Sequence, residues 1–185
     1  MMSLEKMLAY NEQFVAEKKY EEFVTDSIPN KRMVIFTCMD SRLVQLLPNA
    51  INLKPGDVKM VKNAGAIIRK PFDSIMKSIL VAIYELQAEE VVVIGHHDCG
   101  MSHVDPGALT AKMNERGISK ETIETLTNAG INLYDEFHGF ETVEESVEQS
   151  VGIIRNHPLL PKEVNVHGLV IDPKTGKLDV VTKDS

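Results

Sequence analysis

The chain has 185 residues, of which 43% are hydrophobic and 25% are charged, as is usual for a globular protein. Its formal net charge of -7, without a basic cluster that could neutralise phosphates, argues against a nucleic-acid-binding surface. No apolar run is long enough to cross a membrane, and charges interrupt the N-terminus where a signal peptide needs an apolar core, so we expect a cytoplasmic protein with a single domain over residues 1–185.

Residues 1–30 form an N-terminal arm with a helical pattern. Ser3 is a suitable N-cap, and the apolar residues that follow at helical spacing are Leu4, Met7, Leu8 and Val15, with Phe14 beside them. A second apolar group precedes Pro29 and consists of Tyr20, Phe23 and Val24. Such a stripe must be buried, either on the protein's own sheet or on a partner subunit, and the sequence leaves both possibilities open.

Two short apolar runs lead directly into residues with reactive side chains. Residues 33–37 run into Cys38, and residues 91–94 run through a glycine into His96. Continuous apolar runs of this kind predict strands that are covered on both faces, as in a parallel sheet flanked by helices. Because open α/β sheets bind ligands beyond the carboxyl ends of their strands, the residues after the two runs should share one crevice.

Another strand is predicted over residues 58–61, and it leads into a turn of small residues. Gly65 and Ala66 in this turn can let the backbone approach a molecule bound in the crevice, which makes them candidate substrate-binding residues. They can equally form a tight strand-to-helix turn and nothing more. Spacing alone favours neither interpretation.

Two helices are predicted around this strand. The first covers residues 43–47 and is closed by Pro48. The second starts near Pro71 and carries apolar residues at helical spacing, namely Phe72, Ile75, Ile79, Ala82, Ile83 and Leu86. Since it connects two strands, it is the crossover helix of a βαβ unit.

The second half of the chain predicts three helices followed by a hairpin. The helices run from Asp105 to Gly117, over residues 119–129, and from the capping box of Thr142 and Glu145 to about His157. Strands over residues 164–171 and 177–181 form the hairpin at the sheet edge. The predicted fold is therefore a three-layer α/β domain whose mostly parallel sheet has about four parallel strands, a C-terminal antiparallel edge strand and an N-terminal helical arm.

The only two cysteines, Cys38 and Cys99, each follow one of the two apolar runs, and His96 precedes Cys99 by three residues. Two thiolates and an imidazole are ligands that suit zinc. In the cytoplasm, paired cysteines are more commonly metal ligands or reduced thiols than a structural disulfide. The sequence thus predicts one zinc site, formed by Cys38, His96 and Cys99.

Three protein ligands leave a fourth zinc position open, and Asp40 and Arg42 decide what fills it. Asp40 can bind the metal, but the Arg42 guanidinium can instead hold this carboxylate in a bidentate pair. If Arg42 holds Asp40, water binds zinc and Asp40 orients the resulting hydroxide through a hydrogen bond. Because two thiolates offset the zinc charge, this water should have a pKa above about 7, and activity should rise with pH.

The motif CxDSR around Cys38, followed by an AsnAlaGly turn and HxxC, resembles the β-class carbonic anhydrases, especially their short single-domain members. The resemblance covers roughly residues 33–181. It implies zinc on Cys38, His96 and Cys99, a catalytic dyad of Asp40 and Arg42, and interconversion of carbon dioxide and bicarbonate. It also implies a homodimer or a dimer-based oligomer, in which the N-terminal arm wraps a partner subunit.

Lys62 and Ala66 depart from the more common family turn ArgAsnAlaGlyGly, which affects the pocket lining rather than the metal ligands. Enzymes on the same scaffold hydrolyse carbon disulfide or carbonyl sulfide, and no residue excludes these substrates. A further alternative is a non-catalytic zinc-binding dimer in which Asp40 closes the site. Arg42 favours the catalytic interpretation, because a closed site needs no residue that draws Asp40 away.

The remaining histidines, Asp98 and Met101 are expected to have structural rather than catalytic roles. Asp98 is either a hydrogen-bonding neighbour of Arg42 or simply exposed. His138, His157 and His167 are expected at the surface or in the hairpin, and Met101 is expected to fill the core.

Overall fold

The computed structural model describes residues 3–184, and its centre is a five-stranded sheet with the order β2-β1-β3-β4-β5. The strands are β1 (Met33–Cys38), β2 (Val58–Asn63), β3 (Glu90–His96), β4 (Asn165–Ile171) and β5 (Leu178–Thr182). The first four are parallel, and β5 pairs with β4 in the antiparallel direction. The predicted α/β fold with an antiparallel C-terminal edge strand is confirmed.

Strands β1 and β3 lie in the middle of the sheet and are buried on both faces. Val34 and Phe36 of β1 face one core cluster, whereas Ile35, between them, faces a second cluster on the opposite side. The first cluster also contains side chains of the helices α3 and α7, and the second contains Leu43 and Leu47 of α2. Alternation along a pleated strand therefore supplies both cores, which explains the uninterrupted apolar sequence.

Seven α-helices surround or extend from the sheet within the described residues. They are α1 (Leu4–Ala16), α2 (Leu43–Ala50), α3 (Ser74–Tyr84), α4 (Pro106–Glu115), α5 (Lys120–Asn128), α6 (Leu133–Phe137) and α7 (Val143–Arg155). Side-chain oxygens cap the N-termini of six of them, because the first amide groups of a helix lack intrahelical partners. These caps are Ser3, Asp73, Asp105, Ser119, Asn132 and Thr142.

Some helix boundaries differ from the predictions. Helix α2 continues through Pro48, and the Asn49 side-chain amide donates to the carbonyl of Gln45 in this last turn. Helix α3 begins three residues after Pro71, because Asp73 is its actual N-cap. Helix α6 was not predicted, since five residues are too few to show helical periodicity.

His157 was expected at the surface, but the structure shows it buried after α7. Its Nδ1 accepts a hydrogen bond from the Leu159 amide at 3.1 Å, and its ring packs edge-on against Phe72 at a centroid distance of 4.9 Å. The imidazole thus stabilises the turn that follows the helix.

The N-terminal arm does not bury its apolar stripe on the protein's own sheet. Helix α1 has no buried residue, and its large apolar side chains are mostly more than half exposed, as are Phe23 and Val24. The structure therefore excludes one of the two possibilities that the sequence left open. A separate observation is that no described helix is both long enough and apolar enough to span a membrane.

Candidate metal centre

Adjacent parallel strands bring the three predicted zinc ligands together. Cys38 is the last residue of β1, His96 is the last residue of β3, and Cys99 follows in the next loop. Because β1 and β3 are hydrogen-bonded neighbours, their carboxyl ends meet at one sheet edge. The two Sγ atoms are 3.9 Å apart, and the ligand atoms of the three side chains all lie within 4.8 Å of one another.

The unpaired nitrogen of His96 shows that this cluster fits a metal ion. His96 Nδ1 lies 2.8 Å from the carbonyl oxygen of His97, and since a carbonyl can only accept, Nδ1 carries the proton. The other nitrogen, Nε2, therefore presents its lone pair toward the cysteines, is buried, and has no hydrogen-bond partner. A buried nitrogen lone pair beside two sulfur atoms is a donor set that suits zinc.

The two cysteines influence each other's ionisation. The hydrogen bond with Cys99 lowers the pKa of Cys38, and the adjacent His96 imidazole and the Gly65 amide lower it further. The same hydrogen bond, together with burial, raises the pKa of Cys99. One thiolate therefore forms readily, whereas a second needs a nearby positive charge such as a divalent cation.

Asp40 and Arg42 form the bidentate pair that the sequence suggested. Arg42 Nε donates to Asp40 Oδ1 at 3.0 Å, Arg42 Nη2 donates to Oδ2 at 2.9 Å, and the Arg42 amide adds a third bond to Oδ1 at 2.8 Å. These bonds to Arg42 lower the pKa of Asp40 to about 2, so Asp40 is a carboxylate at neutral pH. Its Oδ2 lies 3.8 Å from His96 Nε2, close to the cluster but held by Arg42.

Arg42 has a second anchor that the sequence indicated only in part. Its Nη2 donates to the carbonyl oxygen of Asp98 at 2.9 Å, whereas the Asp98 carboxylate is exposed and lies 3.6 Å from Lys174 Nζ. Asp98 has a left-handed backbone conformation with φ 53°. The contact with Arg42 thus depends on backbone geometry, which side-chain chemistry alone does not reveal.

Gly65 and Ala66 have different surroundings. The Gly65 amide donates to Cys38 Sγ at 3.3 Å, and its φ of 83° favours glycine. Ala66 is fully buried, and its carbonyl oxygen accepts a hydrogen bond from Ser150 at 3.2 Å. The structure therefore places Gly65 at the metal cluster and Ala66 in the core, while their contact with substrate stays a prediction.

A comparison with protein-family models decides the family. The model described as carbonic anhydrase matches residues 33–178, which include all three candidate ligands and the Asp40–Arg42 pair. The chain belongs to the β-carbonic anhydrase family. The match begins at the first residue of β1, so the N-terminal arm lies outside it.

Individual relatives of this β-carbonic anhydrase family chain agree with the assignment. The Bacillus subtilis protein named "Putative carbonic anhydrase YvdA" is 58% identical, covering 98% of this chain and 92% of its own. The crystal structure of the β-carbonic anhydrase isoform TvaCA1 from Trichomonas vaginalis is 34% identical, with a TM-score of 0.89 and full coverage of both chains. A carbon disulfide hydrolase from Acidithiobacillus thiooxidans is 28% identical, covering 96% of this chain and 90% of its own.

Proposed function

We propose that this protein catalyses the zinc-dependent, reversible hydration of carbon dioxide to bicarbonate and a proton. The observation that carries the proposal is the Asp40–Arg42 pair beside the three-ligand cluster. Arg42 engages both oxygens of Asp40, which would leave the fourth zinc position to water. Catalytic zinc sites have three protein ligands and one open position, and this arrangement matches that pattern.

Cys38, His96 and Cys99 would hold one zinc ion per chain, and the ion would supply the Lewis acidity that makes water nucleophilic near neutral pH. Asp40, with its pKa of about 2, is a hydrogen-bond acceptor throughout the working range, and it can orient the attacking oxygen. Arg42 fixes the position of Asp40, and the Asp98 carbonyl fixes Arg42. Gly65 supports the Cys38 thiolate and leaves the turn free of a side chain at this point.

A cavity of about 420 Å³ lies beside the turn after β2, and Met101 lines it, but none of the three candidate ligands does. Six of its eleven lining residues are apolar, and the other five are polar or charged. The cavity therefore does not distinguish carbon dioxide from carbon disulfide or carbonyl sulfide. Because one relative is a carbon disulfide hydrolase, that activity is the second candidate function.

A non-catalytic zinc protein is less well supported. In that alternative Asp40 closes the site, which breaks hydrogen bonds that its carboxylate accepts from the Arg42 guanidinium.

The exposed N-terminal arm supports assembly into a homodimer or a dimer-based oligomer. Leu4, Leu8 and Val15 are each more than half exposed, and an apolar stripe of this kind is normally covered by another subunit. Light scattering should give at least twice the 20.6 kDa chain mass, and a variant without residues 1–16 should shift toward the monomer.

The two free cysteines, each buried in the site, are compatible with residence in the reducing cytoplasm.

Stopped-flow hydration of carbon dioxide with a pH indicator tests the proposed activity. Zinc-loaded wild-type protein should turn over carbon dioxide faster at about pH 9 than at about pH 7, because two thiolates raise the pKa of the catalytic water. Asp40 is ionised at both values, so it contributes no step to this rise. A flat or falling profile would contradict the proposal. Turnover of carbon disulfide without turnover of carbon dioxide would establish the second candidate.

A further inference from the structure

A strap formed by His138, Gly139 and Phe140 lies between α6 and α7, and its Gly139 closely contacts the backbone of the loop after Cys99. A Cβ atom built on Gly139 would overlap the carbonyl oxygen of Met101 and lie 2.9 Å from its carbonyl carbon. Both are backbone atoms, which cannot move aside as a flexible side chain can. Gly139 has an ordinary backbone conformation, so glycine is needed here because of the close contact with Met101.

Met101 contacts both the loop that carries Cys99 and the turn that supports Cys38. Its carbonyl group belongs to the same peptide as the Ser102 amide, which donates to the Cys99 carbonyl oxygen at 3.1 Å. Its side chain packs against Gly65, where an added Cβ would lie 2.9 Å from Met101 Cγ, and the Gly65 amide donates to Cys38 Sγ at 3.3 Å. A displacement of the Met101 peptide therefore reaches the surroundings of both sulfur atoms.

Arg69 holds the other side of the strap. Its Nη1 donates to His138 Nε2 at 2.6 Å, and its Nη2 donates to the His138 carbonyl oxygen. Since arginine only donates, His138 Nε2 accepts, and His138 Nδ1 donates to the Tyr134 carbonyl at 3.2 Å. Arg69 follows the turn that carries Gly65, so the strap is fastened to one cysteine-supporting turn and presses on the other.

We propose that Gly139 and Arg69 are positioning residues of the metal centre, which fix the Met101 peptide and thereby the relative placement of Cys38 and Cys99. This inference rests on the metal-binding part of the proposed function and not on carbon dioxide turnover. Outer residues that orient metal ligands affect affinity as well as geometry, since a ligand free to move coordinates less well. Neither residue touches the three candidate ligands directly.

Zinc affinity and the cobalt spectrum of Gly139→Ala test the inference. We expect about ten- to hundredfold weaker zinc binding, measured by competition with a chromophoric chelator. The cobalt-substituted variant should also show altered thiolate-to-metal charge-transfer absorption, which a general loss of stability would not cause. Gly152→Ala is the matched control, because an added Cβ at Gly152 meets no atom within 4 Å, and it should equal the wild type in both measurements.

Arg69→Met removes the second fastening without introducing a steric clash. Arg69→Met should also weaken zinc binding, but by less than Gly139→Ala. If Gly139→Ala does not fold, the zinc affinity of Arg69→Met tests the inference in its place. Unchanged zinc affinity and an unchanged cobalt spectrum in a folded Gly139→Ala, or in Arg69→Met where the first variant fails to fold, would overturn the inference. A wild-type protein that binds no zinc would overturn the proposed function and this inference with it.

Discussion

The sheet edge that carries the candidate metal centre and the helical insertion of residues 104–137 differ sharply in burial. All but one of the residues of β1 are buried, and so are all three candidate ligands. In the insertion, α5 and α6 have no buried residue, and α4 buries only Pro106. The candidate site is therefore built on a well-buried part of the chain, and the insertion contributes a cavity wall.

The difference in burial predicts how the two regions respond to substitution. At the sheet edge, each side chain has several neighbours, so a substitution changes both packing and the positions of the ligands. In the insertion, helix caps and a few contacts with the body determine the structure, so substitutions should be tolerated.

The largest effect is expected from removal of a ligand. Cys38→Ala or His96→Ala should lose zinc and, with it, carbon dioxide turnover, because the two remaining ligands cannot hold the ion. Metal analysis after gel filtration, together with stopped-flow hydration, measures both. His103→Ala is a useful control, since His103 lies in the adjoining turn but outside the cluster. Retention of one zinc per chain by Cys38→Ala would contradict the ligand assignment.

A smaller effect separates the two regions by stability. Ile154→Ala in α7 should reduce the free energy of unfolding by about 2–5 kcal/mol, because Ile154 is fully buried and a cavity would remain. Ile118→Ala in the insertion should change it by less than about 1 kcal/mol, since Ile118 is 44% exposed. Urea unfolding of both variants gives the comparison. Similar losses for the two would show that the insertion is packed as tightly as the core.

The smallest effect concerns the ion pair that ties α6 to the body. Lys70 lowers the pKa of Glu136 below its ordinary value of 4.5, so the pair stabilises the fold above that pH and this contribution is lost as the pH falls. Glu136→Gln should therefore melt slightly below the wild type at about pH 7, and the difference should be smaller at about pH 4 because the contribution fades as the pH falls from 4.5 through the lowered pKa. Thermal melts at both pH values measure it. A difference that grows toward acid pH would mean that the sign is wrong.

The strands of the central sheet could be predicted from the sequence, because a strand that is buried on both faces has a continuous apolar run, as in residues 91–94. Caps such as Asp105 and Ser119 likewise predicted helix starts correctly. Helix α6 was missed because its five residues contain no repeated apolar spacing. Met101 packs against the second core cluster, as the sequence predicted, but the contact of its carbonyl group with Gly139 depends on backbone geometry that the sequence does not reveal.

The grouping of the metal site was predictable because both cysteines follow buried strands. The anchor of Arg42 on the Asp98 carbonyl was not predictable, since it depends on a positive φ at a residue other than glycine. The fate of the N-terminal stripe was also undetermined, because an amphipathic pattern shows that a face must be covered but not by what.

Turnover by Arg42→Ala, normalised to bound zinc, tests most directly whether Arg42 keeps Asp40 available for catalysis. Arg32→Ala is the matched control, because Arg32 makes a similar ion pair with Glu89 at 2.8 Å on the surface away from the cluster. Arg42→Ala should retain zinc and lose nearly all carbon dioxide hydration, as the released Asp40 binds the metal, whereas Arg32→Ala should remain active. Full activity per zinc in Arg42→Ala would contradict the account.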